Sequence, residues 1–279
     1  MSAQEAGEGF ATFEGKWLAA HPEQAMAGLF VAPDVRLRAV AFGALVHELD
    51  SAAYRIREPQ VAAAKLAWWS EELERSAHGH ARHPVTQALF DENVCAADPN
   101  LWPALAIAAL NQIESASAAT FDELLAQREP FALAMADAES ALFLGGAANI
   151  DANAALWTLS SLLHALPDVA DSEARLPVPL DLLARHGLSR ARLAAASGAR
   201  SALVLDQLAS LRAETQGALG VASTRTLALR VRLRADHRLI AQASRAPDPL
   251  THVATRSDPG RLRSLYFAWS EARAALRGR

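Results

Sequence analysis

The stretch AVAFGALVHELDSAAYRIREPQVAAAKLAWWSEEL, residues 39–73, decides the fold class. Alanine and leucine are strong helix formers and alanine is depleted in strands, so both halves of the stretch are predicted to be helical. Pro59 divides them, at a place where proline fits the first turn of a new helix. Alanine is as frequent elsewhere, since it supplies 64 of the 279 residues. The sequence therefore predicts an all-α protein.

Prolines and glycines divide the chain into about ten predicted helices. Pro84 fits a first helical turn as Pro59 does, and Pro130 predicts a kink or split within its helix. The segment Leu229 to Arg234 alternates apolar and polar residues as a strand would. It has no predicted partner strand, and we interpret it as helical. The predicted ranges are 3–20, 34–57, 60–77, 84–95, 100–116, 120–145, 151–166, 179–186, 189–220, 222–244 and 258–277.

Local signals support several of these bounds. Thr120 followed by Glu123 fits a capping box, in which each residue satisfies a free backbone N–H group of the other. Asp258–Pro259 fits an N-cap followed by proline at the first helical position. Gly187 fits a C-terminal stop. No repeat or linker interrupts this series, so one helical-bundle domain over residues 1–279, around a central cavity, is expected.

Composition limits the function classes. The single cysteine, Cys95, excludes a disulfide framework and any multi-cysteine metal site. No run of residues reaches the ~18 consecutive apolar positions of a membrane span. The first ten residues contain two glutamates and no basic residue, unlike a secretory signal or transit peptide. We expect a cytoplasmic protein with at most peripheral contact at the inner face of the membrane.

Charge is unevenly distributed along the chain. The net charge is −4, and residues 185–279 hold 17 Arg against 6 acidic residues, which is +11, so residues 1–184 sum to −15. The basic C-terminal third either faces an anionic partner or is an internally paired, solvated surface. No nucleic acid is expected as a partner.

One helix carries an unusual polar face. His47, Asp50 and Tyr54 are spaced i, i+3 and i+7 and therefore share one side of a largely apolar helix. Burying unpaired charge is costly, so such a face needs a reason. One interpretation is a polar patch that lines a cavity between helices. The other is an interhelical ion pair or an exposed stripe.

Two further clusters allow two interpretations each. Trp68 and Trp69 are adjacent on one helix and point about 100° apart, so they form either core packing or a pocket wall. His78, His80 and His83 lie in a polar loop between predicted helices. They are either metal ligands or solvated loop residues. Phosphate-binding glycine loops, a Gly-x-Ser-x-Gly elbow and a His-Glu-x-x-His helix do not occur.

Three pieces, in order, resemble the squalene/phytoene synthase family of all-α head-to-head prenyl transferases. The first piece is LVHELDSAAY at residues 45–54. The second consists of Glu-Pro at residues 58–59, the tryptophan motif KLAWWSEEL at residues 65–73 and His-Pro-Val at residues 83–85. The third is ARLPVPLDLLARHG at residues 174–187.

The resemblance implies the isoprenoid synthase fold, a helical bundle around a central cavity. In the family, two aspartate-rich motifs face each other and hold Mg²⁺, which grips the diphosphate of a prenyl substrate. Magnesium is a hard cation usually held by carboxylates and phosphate oxygens. It neutralises the charge that develops on the leaving diphosphate. An apolar cavity then keeps water from the carbocation.

The motif positions of this sequence depart from that pattern. The first motif, Asp-Asp-x-x-Asp, is matched by Asp50, Ser51 and Tyr54, which leaves one carboxylate. In the second, SLLHALPD at residues 161–168, the leading aspartate is replaced by Ala165, and Asp168 is the remnant. The pattern is similar to that of a divergent branch thought to be non-catalytic, which includes a mitochondrial complex I assembly factor. Fold alone does not carry the reaction over.

Three hypotheses follow from these residues. The first is a catalytically degenerate protein that acts as an isoprenoid- or lipid-binding or assembly protein, without cofactor. The second is an active prenyl transferase that uses Mg²⁺ in a reduced site. The third is a ligand-free helical scaffold. The expected partners are a prenyl diphosphate or other lipid and, in an assembly role, a protein. The candidate site residues are the remnants Asp50 and Asp168, and the substrate-binding residues His47, Tyr54, Trp68, Trp69, His164 and Arg175.

Overall fold

The structure, a computed structural model, describes residues 3–90, 98–170, 176–255 and 260–277. These residues form α-helices and short 3-10 turns and contain no β-strand, which confirms the all-α prediction. The first helices are α1 (Ala3–Ala20), α2 (Glu23–Ala27), α3 (Pro33–Tyr54), α4 (Pro59–Ala77), α5 (Pro84–Leu89) and α6 (Leu101–Asn111). They are followed by α7 (Phe121–Phe143), α8 (Ile150–Ala165), α9 (Leu180–Arg185), α10 (Gly198–Gly220), α11 (Leu227–Ala243), α12 (Pro249–Thr255) and α13 (Arg261–Arg277).

Most predicted helix ends are confirmed. Pro59 and Pro84 stand in the first turns of α4 and α5. The Thr120 Oγ1 atom accepts the Glu123 N–H at 3.2 Å, while the Glu123 carboxylate accepts the Ala119 N–H at 2.7 Å. Gly187 has φ +62° after α9 and ends it as expected. Cys95, Arg175 and the Asp258–Pro259 cap lie outside the described residues.

Several predicted bounds are wrong, because side chains cap the helices at other positions. The predicted helix 189–220 begins only at Gly198, where the Ser197 hydroxyl caps the helix. The predicted helix 222–244 begins only at Leu227, behind the Thr226 cap. Residues 229–234 are helical, as predicted. Pro130 does not split α7, which runs continuously from Phe121 to Phe143.

Helix α3 occupies the middle of the bundle. It packs against α1, α4, α5 and α6, while α7 pairs with α8 and α10 covers α8. One apolar core lies among α3, α4, α6, α7 and α8. A second core joins α8 and α10 to the segment after α8 and to α12. On the remaining side, α2 packs on α11 and α13. No described helix is both long and apolar enough to cross a lipid bilayer.

Candidate functional site

A cavity of about 600 Å³ lies along α3. This volume is within the ~300–1,000 Å³ typical of ligand pockets. One face of α3 forms its floor from Val35 to Asp50. The fifteen steps of helix from Val35 to Asp50, at ~1.5 Å each, make this floor about 22 Å long. The α3 residues along it are Val35, Ala39, Phe42, Gly43, Val46, His47 and Asp50.

The other walls come from helices that are distant in sequence. They combine large apolar side chains with basic ones, which suits an elongated amphiphile. The apolar contributors include Trp17, Phe30, Met135, Phe143 and Trp157. The ionisable contributors are His21, His47, Asp50, Arg55, Glu139, His164, Arg225, Arg230 and Arg232. Among the described residues, four arginines therefore line the cavity against two carboxylates.

Gly43 lets one wall approach the floor. A Cβ atom at this position would lie 2.4 Å from Cζ2 of Trp17, much closer than real contacts allow. Trp17 is buried and packs in the core cluster beside α3. The absence of a side chain at residue 43 thus seats the indole of Trp17 against α3.

The first aspartate position is held in a polar network. Asp50 Oδ1 accepts a hydrogen bond from the Ser161 hydroxyl at 3.0 Å, and Arg128 Nη1 donates to the same hydroxyl oxygen at 3.1 Å. Tyr54 does not line the cavity. Its ring lies under the Arg128 guanidinium, 4.0 Å from Cζ to the ring centroid, and its hydroxyl donates to Gln112. Of the predicted triplet, the structure therefore places His47 and Asp50 in the cavity wall and Tyr54 beside it.

The second aspartate position is paired with an arginine. Asp168 lies in the 3-10 turn Leu166–Ala170, and its Oδ2 is 3.6 Å from Nε of Arg55. Arg55 follows the last residue of α3 and lines the cavity, whereas Asp168 does not. An arginine thus stands between the segments that carry the two motif positions. Arg175, predicted to contact substrate, lies outside the described residues.

These side chains do not fit the magnesium cluster that the resemblance implies. Magnesium needs several oxygen ligands in near-octahedral geometry. In the part of the chain that the structure describes, no group of three or more His, Cys, Asp or Glu residues is placed to hold a metal ion. Asp168 faces a guanidinium, and one Asp50 oxygen already accepts a hydrogen bond from the Ser161 hydroxyl. The positive charge at this place comes from arginine.

His164 belongs to a buried network. Its Nε2 is 2.7 Å from Oδ1 of Asp236, whose Oδ2 accepts the Ser160 hydroxyl at 2.5 Å. The Arg232 Nε donates to the same hydroxyl oxygen at 2.5 Å. Burial acts to raise the pKa of Asp236, but contacts with His164 and Arg232 outweigh it and lower the pKa overall. The network fixes the cavity-facing sides of α8 and α11.

Sequence reasoning missed Asp236 and Arg232. They are spaced i and i+4 on α11, so they lie on one face of the helix. Both are buried beside Leu229 and Ile240 on a helix whose other face is rich in arginine. Opposite charges spaced i and i+4 on the apolar side of a helix indicate a buried polar network, and this pattern could have been found in the sequence.

Two buried glutamates belong to this region, Glu139 in the cavity wall and Glu23 next to the lining residue Gln24. Burial raises the pKa of Glu23 to about 7, and the nearby charge of Asp236 adds to the shift. Burial also raises the pKa of Glu139, whose carboxylate accepts hydrogen bonds from Trp157 Nε1 at 3.0 Å and Thr226 Oγ1 at 2.5 Å. Burial and the Arg55 charge lower the pKa of His47. Burial therefore favours the neutral forms of Glu23, Glu139 and His47.

The tryptophan motif is not part of the cavity, which corrects the expectation of a pocket wall. Trp69 is 1% exposed in the core and Trp68 is 43% exposed. Both rings pack edge-on against the His83 ring, with centroids 4.7 and 5.5 Å away, and Phe13 packs on the same imidazole at 4.6 Å. His83 is thus packed among aromatic rings, and among the described residues it belongs to no group placed to hold a metal ion. Its Nδ1 accepts the Val85 N–H and caps α5.

Glu72 explains why this motif and the following His-Pro occur together. Its buried Oε1 accepts the backbone N–H groups of Arg82 and His83, both at 2.8 Å, and the Thr86 hydroxyl at 2.6 Å. Arg75 donates to Oε2 at 2.6 Å. Burial opposes ionisation, but these hydrogen bonds lower the pKa of Glu72 to about 2. The motif is a structural clamp that attaches α5 to α4.

Comparison with known proteins agrees with this fold. A dehydrosqualene synthase, solved in complex with a ligand, superposes with a TM-score of 0.65 at 15% identity, covering 99% of this chain and 99% of that chain. Squalene synthase HpnC from Alicyclobacillus acidocaldarius superposes with a TM-score of 0.55 at 18% identity, covering 98% and 96%. No protein-family model and no curated protein matches the sequence. The described residues have a squalene synthase-like fold, as the resemblance implied.

Proposed function

We propose that this squalene synthase-like chain is a lipid-binding or assembly protein rather than a metal-dependent prenyl transferase. It holds an isoprenoid or other lipid with an anionic head group in the cavity along α3. The observation that carries the proposal is the Arg55–Asp168 pair, which puts a fixed cation where a metal-dependent synthase needs a free carboxylate.

The cavity supports an amphiphilic ligand by its shape. Its floor is about 22 Å long, by the ~1.5 Å rise of each helical residue. Apolar walls such as Phe42 and Phe143 remove a hydrocarbon chain from water, which contributes about 0.8 kcal/mol for each buried methylene. A chain of isoprenoid length lies along this floor in the proposal.

The basic residues support an anionic head group. Arginine presents a planar fork of N–H donors that matches phosphate or carboxylate oxygens. Arg55 lies at the Asp50 end of α3, and Arg232 lies over the ring of Trp157, another lining residue. In the proposal these guanidinium groups bind the head group directly, without a bridging metal. In the proposal no metal ion is present, so the Lewis-acid stabilisation that Mg²⁺ gives a leaving diphosphate is not supplied.

A thermal-shift panel tests the proposal. Farnesyl and geranylgeranyl diphosphate, the matching monophosphates and a fatty acid are each added with Mg²⁺ or with EDTA. A ligand that binds the folded state raises the melting temperature. Equal shifts with Mg²⁺ and EDTA are expected. Shifts that require Mg²⁺, with condensation of the prenyl diphosphates, would instead assign the active prenyl transferase.

A further inference from the structure

Helix α13 carries an exposed stripe of large apolar side chains. Leu262, Tyr266 and Trp269 are spaced i, i+4 and i+7 and lie on its outer side. Leu262 is 85% exposed. The inner side of the helix, with Ser264 and Ala268, is buried. Such a stripe is more than scattered surface hydrophobics and marks an interaction surface.

The stripe continues into a neighbouring turn that contributes to the cavity lining. The turn Gly28–Phe30 packs against α13 and exposes Leu29 and Phe30. Phe30 also lines the cavity, as does the exposed Ala274 of α13. The mouth patch is defined here as Leu29, Phe30, Leu262, Tyr266 and Trp269. It therefore borders the cavity on a side where the lining residues Phe30 and Ala274 are exposed.

Positive charge surrounds the mouth patch. Arg261, Arg263 and Arg273 are exposed on α13. In the sequence, Glu271 is the sole acidic residue between positions 261 and 277. Its carboxylate is already paired inward with α11, at 3.0 Å from Arg230 and 2.8 Å from Arg234. The outer side of α13 thus presents apolar groups and arginines together.

We infer that the mouth patch docks on the surface of a lipid bilayer that contains anionic lipids. Tryptophan and tyrosine favour the membrane–water interface, and basic residues are attracted to anionic head groups. An amphipathic helix with both features lies in the plane of the interface. Docking of α13 does not require a filled cavity. Exchange of a lipid between the bilayer and the adjacent cavity, in contrast, rests on the proposed function.

The charge of the patch argues against a second copy as the occupant. In a symmetric dimer the same surface meets itself. The arginines around Leu262 would then face identical arginines, which is unfavourable. An anionic lipid surface complements the same charges.

Vesicle flotation of the full chain tests the inference. The vesicles contain either phosphatidylcholine alone or equal amounts of phosphatidylcholine and phosphatidylglycerol. We expect flotation with the anionic vesicles, weakened by added salt because salt screens surface charges. Flotation with neither composition, or equal flotation with both, would overturn the inference.

Variants locate the binding surface. Leu262→Ser with Trp269→Ser should abolish most flotation. Trp68→Ser is the matched control, because Trp68 is exposed to the same 43% on α4. Each arginine removed by Arg261→Ala or Arg263→Ala should weaken binding roughly fivefold, as ~1 kcal/mol per basic residue implies. Equal loss in the Trp68 control, or a dimer that these changes dissociate, would contradict membrane docking.

A solution measurement separates this inference from the proposed function. The Leu262→Ser, Trp269→Ser variant should bind a soluble prenyl phosphate as the unchanged protein does, because neither residue lines the cavity. If the unchanged protein floats with anionic vesicles but binds no prenyl phosphate, membrane docking is supported and the proposed lipid binding in the cavity is wrong. If it binds the prenyl phosphate but does not float, lipid binding is supported and membrane docking is wrong.

Discussion

The Nε atom of Arg55 lies 3.6 Å from Oδ2 of Asp168. This pair joins the end of α3 to the turn after α8, the segments that carry the two aspartate positions. Both side chains are partly exposed, so the pair contributes at most ~1 kcal/mol to stability. Its importance lies in charge placement, since it gives the polar end of the cavity a fixed cation.

Replacement of Asp168 tests the role of this pair. Asp168→Ala releases Arg55 for an anionic ligand, so affinity should rise a few-fold by titration calorimetry in EDTA. A metal-ligand role for Asp168 makes the opposite prediction, a loss of binding. Asp181→Ala is the control, because Asp181 lies in another exposed pair, 3.9 Å from Arg185. It should leave affinity unchanged.

Gly43→Ala should harm both stability and binding. The new Cβ would meet Trp17 at 2.4 Å and push the indole away from α3, toward the cavity. Overpacking of this kind costs about 1–3 kcal/mol. Urea unfolding measures the stability, and calorimetry measures the affinity. Gly15→Ala is the matched control, because a Cβ there meets nothing within 4 Å. It should be neutral or slightly stabilising, and equal effects of both changes would refute the packing argument.

Glu72→Ala should be strongly destabilising. It would leave the partly buried backbone N–H groups of Arg82 and His83 without their acceptor, at up to ~1–3 kcal/mol for each group. The exposed Glu74→Ala provides the control on the same helix. Guanidinium unfolding at neutral pH compares them. Similar stabilities of the two variants would show that the clamp is unimportant.

The decrease in the free energy of unfolding at acidic pH also depends on Glu72. Its pKa is lowered from 4.5 to about 2 in the folded state. Its contribution is therefore complete above pH 4.5 and is lost as the pH falls toward 2, amounting to about 3 kcal/mol at ~1.4 kcal/mol for each pH unit. Glu72→Gln should flatten this part of the stability curve. An unchanged slope would contradict the lowered pKa.

Glu23 acts in the opposite direction. Its pKa is raised from 4.5 to about 7, so the folded state keeps a proton that the unfolded state has lost. Stability from this group is complete below pH 4.5 and falls as the pH rises to 7, by about 3 kcal/mol. Glu23→Gln should therefore stabilise the protein at pH 8 relative to its effect at pH 4. Thermal melts at both pH values provide the measurement, and equal effects would rule out a raised pKa.

The sequence predicted the helical class and the caps at Thr120 and Gly187, because these depend on neighbouring residues. It did not predict the start of α10 at Gly198, where a serine cap overrides the helical pattern upstream. The Ser160–Asp236 hydrogen bond joins residues 76 positions apart, so no local pattern reports it. Trp68 and Trp69 show the same limit, because only the fold reveals that α4 contributes no residue to the cavity lining.

The most direct test of the central claim is calorimetric titration of farnesyl diphosphate in EDTA and in Mg²⁺, with diphosphate release assayed on the same samples. The account predicts equal affinity in both buffers and no release above the protein-free control. Binding that requires Mg²⁺, accompanied by release of diphosphate and formation of a condensed hydrocarbon, would contradict it.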